Sequence, residues 1–243
     1  MAKRLLDRQV ALAEYMTSAA AIFRDQSETS MVPALQGIDC GLLQVEARFS
    51  YAKRMEKVTA VLPKTFELMG ARQAQIVREF IASCPPTSIS RLANARQFHD
   101  FLASRESCDP PYLCDVAACE IAYAEVDAAD HDDGLLHAER QPSTAQRGVR
   151  RCPAVVLLQC AYDVRSIFEV GAGTAAPAKR KTELVVAQPP AEGHPRVFEV
   201  PSAVFALLRA LDDWTDPLAV EVSPELTRLL DDLAQHGLIE VRG

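Results

Sequence analysis

In the segment "RLLDRQVALAEYMTSAAAIF", residues 4–23, apolar side chains return every three or four positions, through Leu5, Leu12, Met16, Ala19 and Phe23. That spacing follows the 3.6-residue turn and predicts an amphipathic helix. "GLLQVEARFSYAKRMEKVTAVL" repeats it through Leu42, Val45, Phe49 and Val58, and Pro63 ends or kinks this second helix. "GARQAQIVREFIASC" supplies another, stopped by Pro85 and Pro86, and "SRLANARQFHDFLAS" one more. In "PPYLCDVAACEIAYAEV" Asp109 is placed to cap, Pro110 and Pro111 suit a first turn, and Tyr112, Val116, Cys119 and Tyr123 fall along one face. The first half therefore predicts an all-helical, bundle-like domain.

After residue 150 the period changes. "CPAVVLLQCAYDVRSIFEV" is rich in branched apolar residues and predicts a strand, then extended chain with a break. "TELVVAQ" and "RVFEVP" predict two more strands around the turn "PPAEGHP". Helix ("SAVFALLRALDD"), a turn with Trp214, helix ("SPELTRLLDDLAQH"), Gly237 as a stop and the short strand "LIEV" complete the chain, with Ser202 and Ser223 as expected caps. The fold class expected is α+β: an N-terminal helical domain over 1–146, then a smaller winged-helix-like domain with strands over 147–243.

Charge sharpens the boundary. The net charge of −7 is unevenly spread: residues 111–146 come to −7 and residues 147–181 to +5, and the switch coincides with the polar stretch "QPSTAQRG". No run approaches the roughly eighteen apolar residues of a membrane span. The charged, amphipathic opening has no signal-peptide block, so a cytoplasmic location is expected.

Candidate chemistry is sparse. Seven scattered cysteines, an odd number within apolar patterns, do not read as a disulfide framework. Cys114 and Cys119, five apart, point to different helix faces at ~100° per residue and cannot grip one metal. "HDDGLLH", His131 to His137, is the one candidate ligand run and reads more simply as a solvated linker. Gly171, Gly173 and Ala176 have dinucleotide-loop spacing, but Pro177 and the basic Lys179, Arg180 and Lys181 argue for a turn instead of the required helix. His99, beside Phe98 and Phe101, has no nucleophile or carboxylate at a recognisable spacing and reads as a packing residue. No independent catalytic constellation emerges.

A winged helix invites a DNA-binding reading, and charge opposes it. The recognition-helix candidate sets Glu225, Asp231 and Asp232 against Arg228, and residues 193–243 come to −5. A basic face from Arg48, Lys53, Arg54 and Lys57 would be needed, and these share a helix with Glu46 and Glu56, as on a solvated face. Peptide capture fits better, because strand addition uses main-chain hydrogen bonds. Leu184, Val185 and Val186 are the candidate accepting edge; three consecutive apolar residues equally fit a central strand covered on both faces. Arg150, Arg151 and Lys179 to Lys181 would steer an acidic peptide or stand in solvated loops.

The segments "RFSYAKRMEKVTAVLPKTFELMG", "FIASCPPTSISRLANARQFHDFL" and "PPYLCDVAACEIAYAEV", with the tail "HPRVFEVPSAVFALLRALDDW", resemble in order and spacing a family commonly described as DNA-binding. The resemblance runs from about residue 5 to 240. Members of that family act as accessory subunits beside TIM-barrel, multinuclear iron-dependent oxidases that modify cysteines of ribosomally made peptides. Within it the chain looks most like the methanobactin-biosynthesis branch. The resemblance implies a noncatalytic subunit that forms a heterodimer with the iron oxidase and binds the precursor's leader peptide. Core cysteines would become oxazolone and thioamide groups on irons held by the partner, with no cofactor in this chain. Sister branches serving other precursors, such as bufferin-type copper-binding peptides, share these features. Where the family has "YLADLARLEW" this chain has "YLCDVAACEIAY": Tyr112, Leu113, Asp115 and Glu120 match, while Cys114, Cys119 and Ile121 differ. Pro110, Pro111, Tyr112, Leu113 and Asp115 are the expected contacts to the oxidase.

Overall fold

A computed structural model describes residues 2–23, 33–136, 148–169, 176–190, 193–216 and 223–242, without the side chains of 2–4 and 130–136. The protein mixes helices with small antiparallel sheets and divides into two compact units, Met1–Leu113 and Cys114–Gly243.

The first unit is built from α1 (Ala2–Thr17), α2 (Ala19–Phe23), α3 (Cys40–Val61), α4 (Pro63–Met69), α5 (Gln73–Ser83) and α6 (Arg91–Ala103). The first expected helix is two, because Ser18 turns its hydroxyl on the backbone: it donates to the Tyr15 carbonyl and accepts from Ala21 N–H at 3.1 Å. Pro63 divides α3 from α4 at the first helical position, where its missing N–H removes no helical bond. Asp39 caps α3 and Ser90 caps α6. An aromatic cluster centres the core. Phe98 stacks on Phe66 at 5.2 Å between centroids and meets Phe80 edge-on at 4.9 Å.

Only part of the face expected of α3 is buried. Val58 is buried as expected, but Leu42, Val45 and Phe49 are 69, 61 and 53% exposed, and Gln44, Ala47 and Arg54 are buried instead. Toward the start of α3 the more polar stripe therefore turns inward. Arg54, expected on a solvated face, is held inside by three side-chain hydrogen bonds.

The second unit holds α7 (Leu113–Leu136, grouped here from Cys114), β1 (Gly148–Arg151), β2 (Val156–Tyr162), α8 (Arg165–Phe168), β3 (Lys179–Ala187), β4 (Arg196–Glu199), α9 (Ser202–Ala210), α10 (Pro224–Gln235) and β5 (Ile239–Arg242). The units part at Leu113, whereas the sequence pattern changes near 146. Two contacts explain why α7 groups with the strands. Asp115 accepts hydrogen bonds from Ala161 N–H and Tyr162 N–H, both 2.9 Å, and Tyr123 stacks on Phe168 at 5.3 Å. Asp109 does not cap this helix; it pairs with Arg72. The run from His131 lies in the last turns of α7 up to Leu136, in place of the expected linker, and His137 is outside the described residues.

The strands form two antiparallel ladders, β1–β5 and β2–β3–β4. β1 was not expected, and only its first residue, Gly148, falls in the polar stretch read as linker. Its ladder with β5 is closed by Trp214, whose ring lies 4.6 Å from the Arg150 guanidinium and 3.9 Å from that of Arg242. Val185, Ala187, Leu208, Leu211, Leu233 and Ile239 share one apolar core between the strands, α9 and α10. Lys179 to Lys181 belong to β3 and not to a turn, and Arg165–Phe168 is a helical turn where extended chain was expected. Ser223 caps α10 and Gly237 takes φ +71° after it, as read from the sequence; Ser202 makes no cap, since α9 begins at it. No helix among the described residues is long and apolar enough to cross a membrane.

Candidate functional site

The three-stranded sheet is where the second unit can meet another chain, and its register decides how. Leu184, Val185 and Val186 pair with Leu158, Leu157 and Val156 on one side and with Glu199, Phe198 and Val197 on the other. All three are fully buried. They form the central strand, covered on both faces, and cannot accept an added strand; the expected accepting edge is corrected accordingly. The outer edges are β2 and β4.

Main-chain direction along those edges follows from one bond. Val200 N–H donates to the Glu183 carbonyl at 3.1 Å, so Glu183 and, by alternation, Val185 turn their main-chain groups toward β4. Val197 and Glu199 then point theirs away from the sheet on the β4 side, and Leu157 and Gln159 do so on the β2 side. The end of the β2 edge is occupied by the Asp115 carboxylate.

Beside β4 lies a cleft of about 620 Å³ lined by Tyr123, Phe168, His194, Arg196, Val197 and Phe198 among others. Burial and the nearby Cys119 push the Tyr123 phenol up to about 12, against a backbone interaction with Val197 that lowers it. It is protonated at neutral pH and can donate. Next to it, Cys119 of α7 and Cys160 of β2 are buried; burial is the main cause that raises both thiols, Cys160 to about 12. Burial thus favours the protonated, poorly nucleophilic form of both thiols at neutral pH. None of the seven cysteines is joined in a disulfide.

Behind the same edge Asp163, Arg165, Arg180 and Glu199 make a closed quartet. Arg165 contacts Asp163 at 2.7 Å and Glu199 at 2.6 Å, Arg180 contacts Asp163 at 2.6 Å, and Arg180 also grips Glu199. The hydrogen bond from Arg165, helped by Arg180, holds the Asp163 carboxyl far below its ordinary value against the opposing effect of burial. The basic stretch expected to steer a peptide is therefore largely paired: Arg150 with Glu240, Arg151 with Asp212, and Arg180 within the quartet. Lys179 and Lys181 remain exposed.

Of the expected oxidase contacts, Leu113 is fully buried and Asp115 is engaged with β2, so neither is offered to a partner surface. Pro111 is exposed, and Pro110 and Tyr112 are half-buried. His99 lies 3.4 Å from the neighbouring Asp100 carboxylate, half-buried on α6. On α10, Glu225, Asp231 and Asp232 are exposed with Arg228, so the exposed charges of that helix are predominantly acidic. Among the described residues no group of three His, Cys, Asp or Glu side chains could hold a metal ion, and Gly171 and Gly173 fall outside them. Sequence reasoning missed Tyr123 and Phe168 as cleft residues, because one was read as core-facing and the other as extended chain. Compared with known proteins, the chain matches no family model and no curated protein, so the resemblance of its motifs stands on those residues alone.

Proposed function

We propose that the protein is a noncatalytic accessory subunit of an iron-dependent peptide-cysteine oxidase, and that its second unit captures the leader of a ribosomally made precursor by strand addition at β4. In this reading the β2–β3–β4 sheet, backed by α9 and α10, is a winged-helix-like module turned from DNA to peptide. One observation carries the reading: the outward edge of β4 at Val197 borders a cleft with aromatic walls, where the Val197 N–H meets the Tyr123 hydroxyl. An extended peptide there would displace the Tyr123 hydroxyl from the Val197 N–H, pair with β4 and seat alternate side chains against Tyr123 and Phe168. The acidic exposed face of α10 speaks against a phosphate backbone as the ligand.

Docking to the oxidase is supported by apolar side chains left in solvent. Leu5, Leu6 and Val10 of α1 and Leu42, Val45 and Phe49 of α3 are all exposed, on two helices that pack together. The irons belong to the partner, a TIM-barrel multinuclear oxidase, which converts core cysteines to oxazolone and thioamide groups; a precursor of the methanobactin type is the reading the motifs favour. Co-expression with a TIM-barrel oxidase encoded beside this chain, then size exclusion and metal analysis, tests the proposal. A one-to-one complex with iron in the complex and none on this chain alone is the expected result. A chain that elutes as a metal-free monomer beside the oxidase would contradict it.

A further inference from the structure

Among the described residues, α3 buries an arginine that meets no carboxylate. Arg54 is 9% exposed. Its Nε donates to Asn94 Oδ1 at 3.0 Å, Nη1 to the Cys84 carbonyl at 2.8 Å and Nη2 to Gln97 Oε1 at 2.7 Å. The guanidinium carbon lies 4.4 Å from the centre of the Phe80 ring. All four partners are neutral. A guanidinium has five N–H donors, so two remain after these bonds. Burial pulls its pKa below the ordinary arginine value, yet arginine keeps its proton at neutral pH. A buried cation without a counter-ion is costly, and an anion brought beside it would relieve that cost.

A pocket of about 270 Å³ opens on this group. Lys53 and Lys57 line it with Arg54, none of its described lining residues is acidic, and Ile22 and Ile81 contribute apolar wall. Lys57 is tethered through a 2.8 Å hydrogen bond to the Ile89 carbonyl, and Lys53 lies 4.3 Å over the Phe49 ring. Three cations and an apolar wall select a ligand with one anionic end and one compact apolar end. At ~30 Å³ per water, the space equals about nine waters and admits a body on the order of ten heavy atoms. A nucleotide is too large.

We propose that this pocket binds a small organic carboxylate, its anionic end received by Arg54 and Lys57 and its apolar end seated against Ile22 and Ile81. The site belongs to the first unit and is independent of the sheet edge assigned to the leader peptide. Such a carboxylate arrives either as a free acid or as the C-terminal residue of a peptide, and both present the same group.

Calorimetric titration of the full chain with phenylacetate, N-acetyl-phenylalanine and N-acetyl-phenylalanine amide separates the cases. Binding of phenylacetate alone supports a free acid, and binding of N-acetyl-phenylalanine as well supports a peptide terminus. In either case the amide is expected not to bind, and Lys57→Glu and the double variant Lys53→Gln with Lys57→Gln are expected to weaken affinity at least about tenfold. These lysines sit at the pocket mouth, so the test does not depend on an Arg54 variant folding; Arg54→Lys, if folded, is expected to retain weakened binding. The proposal is overturned if neither acid binds at about 10 mM, a level that still detects contacts worth about 3 kcal/mol. It is equally overturned if the amide binds as well as the acid, or if the lysine variants bind unchanged.

Discussion

Arg54 in the first unit and the Asp163–Arg165–Arg180–Glu199 quartet in the second bind arginine in opposite ways. The quartet sets two carboxylates against two guanidinium groups, and its charges cancel. Arg54 satisfies geometry with an amide, a carbonyl and a second amide, and meets no carboxylate among the described residues. Hydrogen bonding and charge balance are separate requirements: a region that meets both is structurally closed, and one that meets only the first stays open to an anion. The quartet thus reads as scaffold for β3 and β4, while Arg54 reads as a site.

Breaking the open side has the largest expected effect. Arg54→Met leaves Asn94 Oδ1, the Cys84 carbonyl and Gln97 Oε1 without their donor, at about 3 kcal/mol in total, and urea denaturation should show it as a lowered midpoint with unchanged slope. The quartet should respond mainly to pH. The folded pKa of Asp163 is depressed, so its contribution is present above the unfolded carboxylate range near pH 4 and is lost as pH falls toward the folded value. Asp163→Asn is expected to cost about 1 kcal/mol at pH 7, after discounting for screening of partly exposed partners, and to shrink the stability loss below about pH 5. Acid titrations of the two proteins, followed by circular dichroism, measure that difference. Least affected should be Lys57→Gln, within about 0.5 kcal/mol of the parent, because a half-exposed ammonium on one carbonyl adds little to folding. A larger loss there would move the pocket lysines from binding to structure.

Much of the fold was legible from spacing and turn chemistry. Pro63, Pro85 with Pro86, Ser223 and Gly237 each mark an element boundary for a local steric or hydrogen-bonding reason, and local reasons are what a sequence carries. The failures are tertiary. Leu42, Val45 and Phe49 form a good apolar stripe, but which of two stripes on α3 turns inward depended on acceptors that Asn94, Cys84 and Gln97 supply from 30 to 43 residues away. The strand at Leu184 was recognisable, its apolar run fitted both an edge and a centre, and only pairing with β2 and β4 chose the centre. Tyr123 and Phe168 meet at the candidate cleft through a contact that no local pattern announces.

The strand-addition claim is tested most directly at the edge itself. Titration of the leader peptide of a methanobactin-type precursor, the class proposed above, should compare the parent chain with Val197→Pro and Gln159→Pro. Each proline removes one outward N–H from an outer strand, of β4 and β2 respectively, and leaves the ladder to β3 intact; at Val197 it also removes the bond to the Tyr123 hydroxyl. The account predicts that Val197→Pro weakens peptide binding at least about tenfold while Gln159→Pro binds like the parent, a difference of about 1.4 kcal/mol or more. Unchanged binding in a folded Val197→Pro protein would contradict it.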